Sequence, residues 1–148
     1  MANTFNSVAS PQHSIVGIAD FSAKTACTTR APTATAGLAA ANIFVMVPTT
    51  TEDTPISRIV LKGSSSSFTA PTVAQTLTLW VHDGTTAYPV KEIVLDAKTP
   101  STIVGSFEYD YLLTDFSLPI GYALYASTSI TTTANTTAFV AMAFGSKM

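Results

Sequence analysis

Short runs of β-forming residues recur along this chain, each stopped by a turn signal, and no amphipathic stretch reaches a useful helical length. Thr76-Leu-Thr-Leu-Trp-Val-His82 shows the pattern most cleanly. Leu77, Leu79 and Val81 fall on one face and Thr76, Thr78, Trp80 and His82 on the other, the period of two that marks a half-buried strand. Asp83-Gly84 follows at once, and glycine permits the positive φ that tight hairpin turns require. Tyr88 to Leu95 then returns as the hairpin partner, with Pro89 suited to an edge or a strand start because it donates nothing to a ladder.

The same reading extends in both directions. Ile43 to Val47 is a compact run stopped by Pro48. In Ile56 to Lys62, alternation sets Ile56, Arg58, Val60 and Lys62 against Ser57, Ile59 and Leu61. Ser64 to Ser67 reads as a flexible loop, and Thr35 to Asn42 as a loop or a single helical turn. Thr102 to Tyr109, Tyr111 to Leu118, Gly121 to Thr128 and Thr137 to Phe144 complete the series, with Pro119 and Gly121 breaking the chain between the middle pair. About eight strands at this spacing predict an all-β fold, a single β-sandwich with an extended N-terminal arm. The eight-stranded jelly roll is the favoured topology and an immunoglobulin-like Greek key the alternative. The expected division is an arm over residues 1–35, holding one strand at Ser14 to Ala19, and a sandwich over residues 36–148.

Composition bears on function. The chain has 148 residues, of which 47% are hydrophobic and only 11% charged, against roughly 25% charged in an ordinary soluble domain. Threonine, serine and alanine fill the gap. A free monomer relies on mixed charge to stay soluble, whereas interface cores are depleted of it. The composition therefore points to a chain that works in a stable assembly; the alternative is an extracellular β-domain with a bland Thr/Ser surface. A net charge of −2 without a basic cluster disfavours nucleic acid and anionic membrane as partners. Met1 to Ser10 has neither the basic nor the apolar region of a signal peptide. Cys27 is the single cysteine, so no internal disulfide forms and a reducing compartment is expected.

The chemical inventory is thin, and no enzyme or cofactor is expected. His82 and Asp83 are adjacent on a strand, so their side chains point to opposite faces and do not line up with Ser127 as a triad. Cys27 has no Cys or His at zinc-ligand spacing. Glu108 and Asp110 share a strand face near Asp115, but no glycine-bearing calcium loop surrounds them. Asn135-Thr136-Thr137 fits a glycosylation acceptor, which means little without a secretory signal. Trp80 and the tyrosines at 88, 109, 111, 122 and 125 suit a core, a subunit interface or a sugar-stacking platform.

A set of motifs in the second half carries a resemblance. Ile56-Ser-Arg-Ile-Val-Leu61, Leu77-Thr-Leu-Trp-Val-His-Asp-Gly-Thr85, Lys91-Glu-Ile-Val-Leu95, Lys98-Thr-Pro-Ser101, Leu118-Pro-Ile-Gly-Tyr-Ala-Leu-Tyr-Ala-Ser127 and Phe139-Val-Ala-Met-Ala-Phe-Gly145 follow in order. Over about Ile43 to Gly145 the chain resembles small β-sandwich structural proteins of tailed bacteriophage virions. The resemblance implies a capsid decoration, or cement, protein made in the host bacterial cytoplasm and located on the virion surface. Its implied partners are the major capsid protein and further copies of itself, with a homotrimer favoured. A tail or fibre module binding a host glycan is the alternative, and the resemblance carries no catalytic residue. Within the arm, Met1 to Arg30 is the expected source of inter-chain or capsid contacts, with Phe5, Ile15, Val16, Ile18 and Phe21 as its apolar anchors.

Overall fold

The computed structural model describes residues 14–34, 42–64, 72–134 and 137–145. It is a β-sandwich, and no helix occurs among the described residues. The strands are β1 (Ser14–Asp20), β2 (Thr33–Ala34), β3 (Ile43–Val47), β4 (Thr54–Gly63), β5 (Gln75–His82), β6 (Thr86–Leu95), β7 (Glu108–Leu112), β8 (Ser117–Leu118), β9 (Ala123–Thr128) and β10 (Phe139–Gly145). One sheet runs β1-β10-β4-β7, with β8 paired to the start of β4; the other runs β2-β6-β5-β9-β3.

Setting aside the two-residue β2 and β8, the pairing is nested. The first strand pairs with the last (β1 with β10), β3 with β9, β4 with β7, and β5 with β6, all antiparallel. The chain is thus one long antiparallel hairpin, rolled until β10 also meets β4 and β9 meets β5. Two four-stranded sheets with this connectivity make a jelly roll, the favoured of the two expected topologies.

Inward-facing residues behave as alternation requires. Leu77, Leu79, Ile93, Leu95, Leu124 and Ala126 from one sheet pack on Ile56, Ile59, Leu61, Phe139 and Ala141 from the other. Ile56 departs from the simple pattern. Register slips between Phe144 and Gly145, so Gly145 pairs with Ile56 while Phe144 pairs with Arg58. The extra residue is Ser57, a β-bulge whose hydroxyl donates to the Phe144 carbonyl at 3.2 Å. Beyond the bulge the sides exchange, which puts Ile56 in the core with Ile59 and Leu61 and leaves Arg58, Val60 and Lys62 outside.

The hairpin between β5 and β6 turns on Asp83-Gly84, with Gly84 at φ 100°. Asp83 Oδ1 accepts from the Thr86 and Thr85 amides and the Thr85 hydroxyl at 2.8, 2.9 and 2.9 Å. These bonds, the Thr86 amide foremost, hold its carboxyl down to about 2. Residues 102–107, expected as strand, form a loop: of the stretch 102–118 only Glu108–Leu112 (β7) and Ser117–Leu118 (β8) pair as strands with β4.

Part of the expected arm pairs within the sheets. Residues 14–34 belong to the sandwich: β1 pairs along β10 and β2 pairs with β6. Phe21 follows β1 directly, fully buried, stacked on Phe139 with centroids 4.5 Å apart and tilted against Phe44 at 6.0 Å. The segment between crosses the outer face of the second sheet, where Cys27 N–H donates to the Thr128 carbonyl at 2.8 Å and Arg30 meets Glu92 at 2.7 Å. Membership of β1 depends on pairing with the far end of the chain, which local pattern does not reveal. Phe5, most of the segment 35–42, Ser65 to Ser67 and Asn135-Thr136 lie outside the described residues.

Candidate assembly surface

The outer faces of the two sheets are treated differently. On the β2-β6-β5-β9-β3 sheet, Trp80, Ile43 and Ala87 are buried beneath Cys27 and Tyr125. Trp80 Nε1–H donates to Ser127 Oγ at 2.8 Å, and His82 stacks on Tyr125 with centroids 4.7 Å apart. The indole is fully buried, so it offers no stacking platform for a sugar.

Among the described residues, the outer face of the β1-β10-β4-β7 sheet has no comparable cover. Strand register arranges its side chains in three cross-strand rows: Ile15, Phe144, Arg58 and Leu112; Ile18, Met142, Val60 and Asp110; Asp20, Val140, Lys62 and Glu108. Six adjoining positions on β1, β10 and β4 (Ile15, Ile18, Val60, Val140, Met142 and Phe144) are therefore apolar. Ile15 and Ile18 keep 50% and 52% of their surface exposed, and the other four are half-buried. Antiparallel sandwiches ordinarily turn polar side chains outward, and a contiguous apolar patch marks an interaction site.

Four of the five described charges on this face pair with one another, and Asp20 at the β1 edge is the fifth. Arg58 pairs with Asp110 at 3.1 Å and Lys62 with Glu108 at 2.9 Å, directly across β4 and β7. Arg58 also lies over the Phe144 ring, 4.5 Å from its centroid. The result is an apolar field along β1 and β10, bordered on the β7 side by a self-paired ionic strip.

The expected contact residues separate accordingly. Ile15 and Ile18 lie on this face, Val16 is half-buried at a bulge against the core, and Phe21 belongs to the core. The structure adds Val60, Val140, Met142 and Phe144. The run Phe139-Val-Ala-Met-Ala-Phe-Gly145 carries the signal for three of them: its inward positions are Phe, Ala, Ala and Gly, and its outward ones Val, Met and Phe. A strand apolar on both sides reads as one covered on both sides.

The candidate chemical groupings are not assembled. Glu108 and Asp110 face outward from one sheet and His82 from the other. Ser127 lies four residues along β9 from the position opposite His82, about 13 Å at strand rise, and its hydroxyl accepts from Trp80. No group of three His, Cys, Asp or Glu side chains suited to a metal occurs among the described residues. No described helix is long and apolar enough to cross a membrane. No protein-family model, curated protein or solved structure matches the chain.

Proposed function

We propose that this chain is a structural protein of a tailed-bacteriophage virion that decorates the capsid. In this reading it docks on the major capsid protein, bridges neighbouring subunits as a homo-oligomer with a trimer favoured, and catalyses nothing. The observation that carries the reading is the apolar outer face formed by Ile15, Ile18, Val60, Val140, Met142 and Phe144. Covering a half-exposed isoleucine contributes about 1 kcal/mol, so six such side chains supply several kcal/mol toward docking. The charge-poor composition supports it further, as does the resemblance of the ordered motifs to those of phage structural proteins.

The test is electron microscopy of purified particles, with copies of this chain counted, for wild type and for Ile18→Asp. Decoration predicts copies distributed over the whole shell. The variant, soluble and with unchanged far-UV circular dichroism, should lose about tenfold or more in occupancy, because docking would bury an unpaired carboxylate. Copies confined to one vertex, or full occupancy by the variant, would refute the role or the surface respectively.

A further inference from the structure

The two long sides of the sandwich close differently. On one side β1 packs against β3 so tightly that a methyl group at Gly17 would collide with the Met46 carbonyl. On the other, between β6 and β7, a cleft opens, floored by Leu79 and lined by Val90, Tyr111, Leu113 and Phe116, with Leu112 and Lys91 at its rim. A bulge builds one wall: Trp80 pairs with Pro89 and Leu79 with Lys91, so Val90 is the extra residue. Such bulges re-aim a side chain.

The strand beside the cleft has a free edge. Among the described residues β7 pairs only with β4. Leu113 N–H donates to the Ser57 carbonyl and Gly63 N–H to the Phe107 carbonyl, which fixes the ladder's phase. Residues 109, 111 and 113 therefore turn their amides and carbonyls toward β4, and Glu108, Asp110 and Leu112 turn theirs outward. Charged side chains ordinarily guard such an edge, but Glu108 and Asp110 are tied to Lys62 and Arg58 on the opposite face from the cleft. Among the described residues, Lys91 is the one charge lining the cleft. Its ammonium lies 5.2 Å from the Tyr111 ring centroid, and no carboxylate of the described residues forms a salt bridge with it.

We propose that β7 and this cleft form a strand-addition site for an extended segment of a partner protein. The segment pairs with the outward backbone groups of Glu108, Asp110 and Leu112, seats an apolar side chain over Leu79 and Phe116, and places a carboxylate on Lys91. Both side chains enter the same face, so they stand two residues apart. The site is a property of the sheet edge and does not depend on the decoration role.

The probe is an array of blocked heptapeptides carrying Leu, Ile, Val or Phe two residues from Asp or Glu, with a matched array in which the two are adjacent. Binding to the full chain is followed by amide chemical shifts. The spaced peptides should bind and move the signals of Glu108 to Leu112 and of Lys91. Lys91→Glu, an exposed change, should weaken them about tenfold by replacing attraction with repulsion; Lys91→Gln, which only removes the charge, should weaken them less. Equal binding by the adjacent-residue array, no binding at millimolar peptide, or affinity indifferent to Lys91→Glu would overturn the proposal.

Discussion

Replacing Phe21 with alanine separates a strand-anchoring residue from an arm anchor. The ring is fully buried, stacked nearly parallel to Phe139 at 9° and tilted against Phe44 at 45°. Truncating a buried phenylalanine costs about 3–5 kcal/mol, combining lost transfer energy with the cavity left behind. Total stability for a domain of this kind is about 5–15 kcal/mol, so one ring accounts for a large share. With a urea slope of about 2 kcal/mol per molar, Phe21→Ala should lower the unfolding midpoint by about 2 M. The slope should not change, because the surface exposed on unfolding is nearly the same. Tryptophan fluorescence reports the transition directly, since Trp80 is the only tryptophan and is buried. Paired truncations sharpen the test: removing residues 1–13 spares every described contact, whereas removing 1–21 deletes β1 and Phe21 together. A loss under about 1 kcal/mol for Phe21→Ala, or a cooperative unfolding transition in the longer truncation matching wild type, would refute the placement of this segment in the core.

Two further outcomes follow from local geometry. Asp83 has its folded pKa lowered from 3.8 to about 2, so its contribution is complete above pH 3.8 and is lost as pH falls toward 2; an Asp83→Asn variant should show a flatter acid limb across that window, and a carboxyl carbon titrating near 4 in the folded protein would contradict the turn. Gly17→Ala should destabilise by about 1–3 kcal/mol through overpacking against the Met46 backbone, measurable by urea unfolding, and a neutral effect would mean that β1 and β3 are not in close contact.

What the sequence made legible was whatever depends on short range. Period two set Leu77 and Leu79 on one face of a half-buried strand and Trp80 on the other, and Asp83-Gly84 marked the hairpin. Ile56 was misplaced because a single bulged residue, Ser57, inverts the alternation, and nothing in Pro-Ile-Ser-Arg announces it. Residues 102–107 were misread because Thr, Ile and Val carry strand propensity, while the loop there is held by the Ser101 hydroxyl accepting from the Ile103 and Val104 amides. The candidate surface was half visible. Ile15 and Ile18 stood out as apolar residues in a polar segment, but their neighbours Val60 and Met142 become neighbours only through pairing of β1, β10 and β4.

The contrast between the outer faces also explains how so few charges suffice. On the Trp80 face, the chain's own residues 22–34 lie across the sheet through the Cys27, Asn42 and Arg30 contacts, so Trp80, Ile43 and Ala87 meet protein, while Val45 and Val94 at other positions stay exposed. On the Ile18 face, two of the three described salt bridges join β4 to β7 and leave Asp20, at the β1 edge, as the single net charge there, too little to select a partner electrostatically. Recognition at that face must rest on shape and apolar area, with the ionic strip setting register at the border. Raising salt should therefore leave docking through it nearly unchanged, while binding at the Lys91 cleft should weaken. An assembly that dissociates steeply with salt would place the contact at the cleft and not on the β1–β10 face.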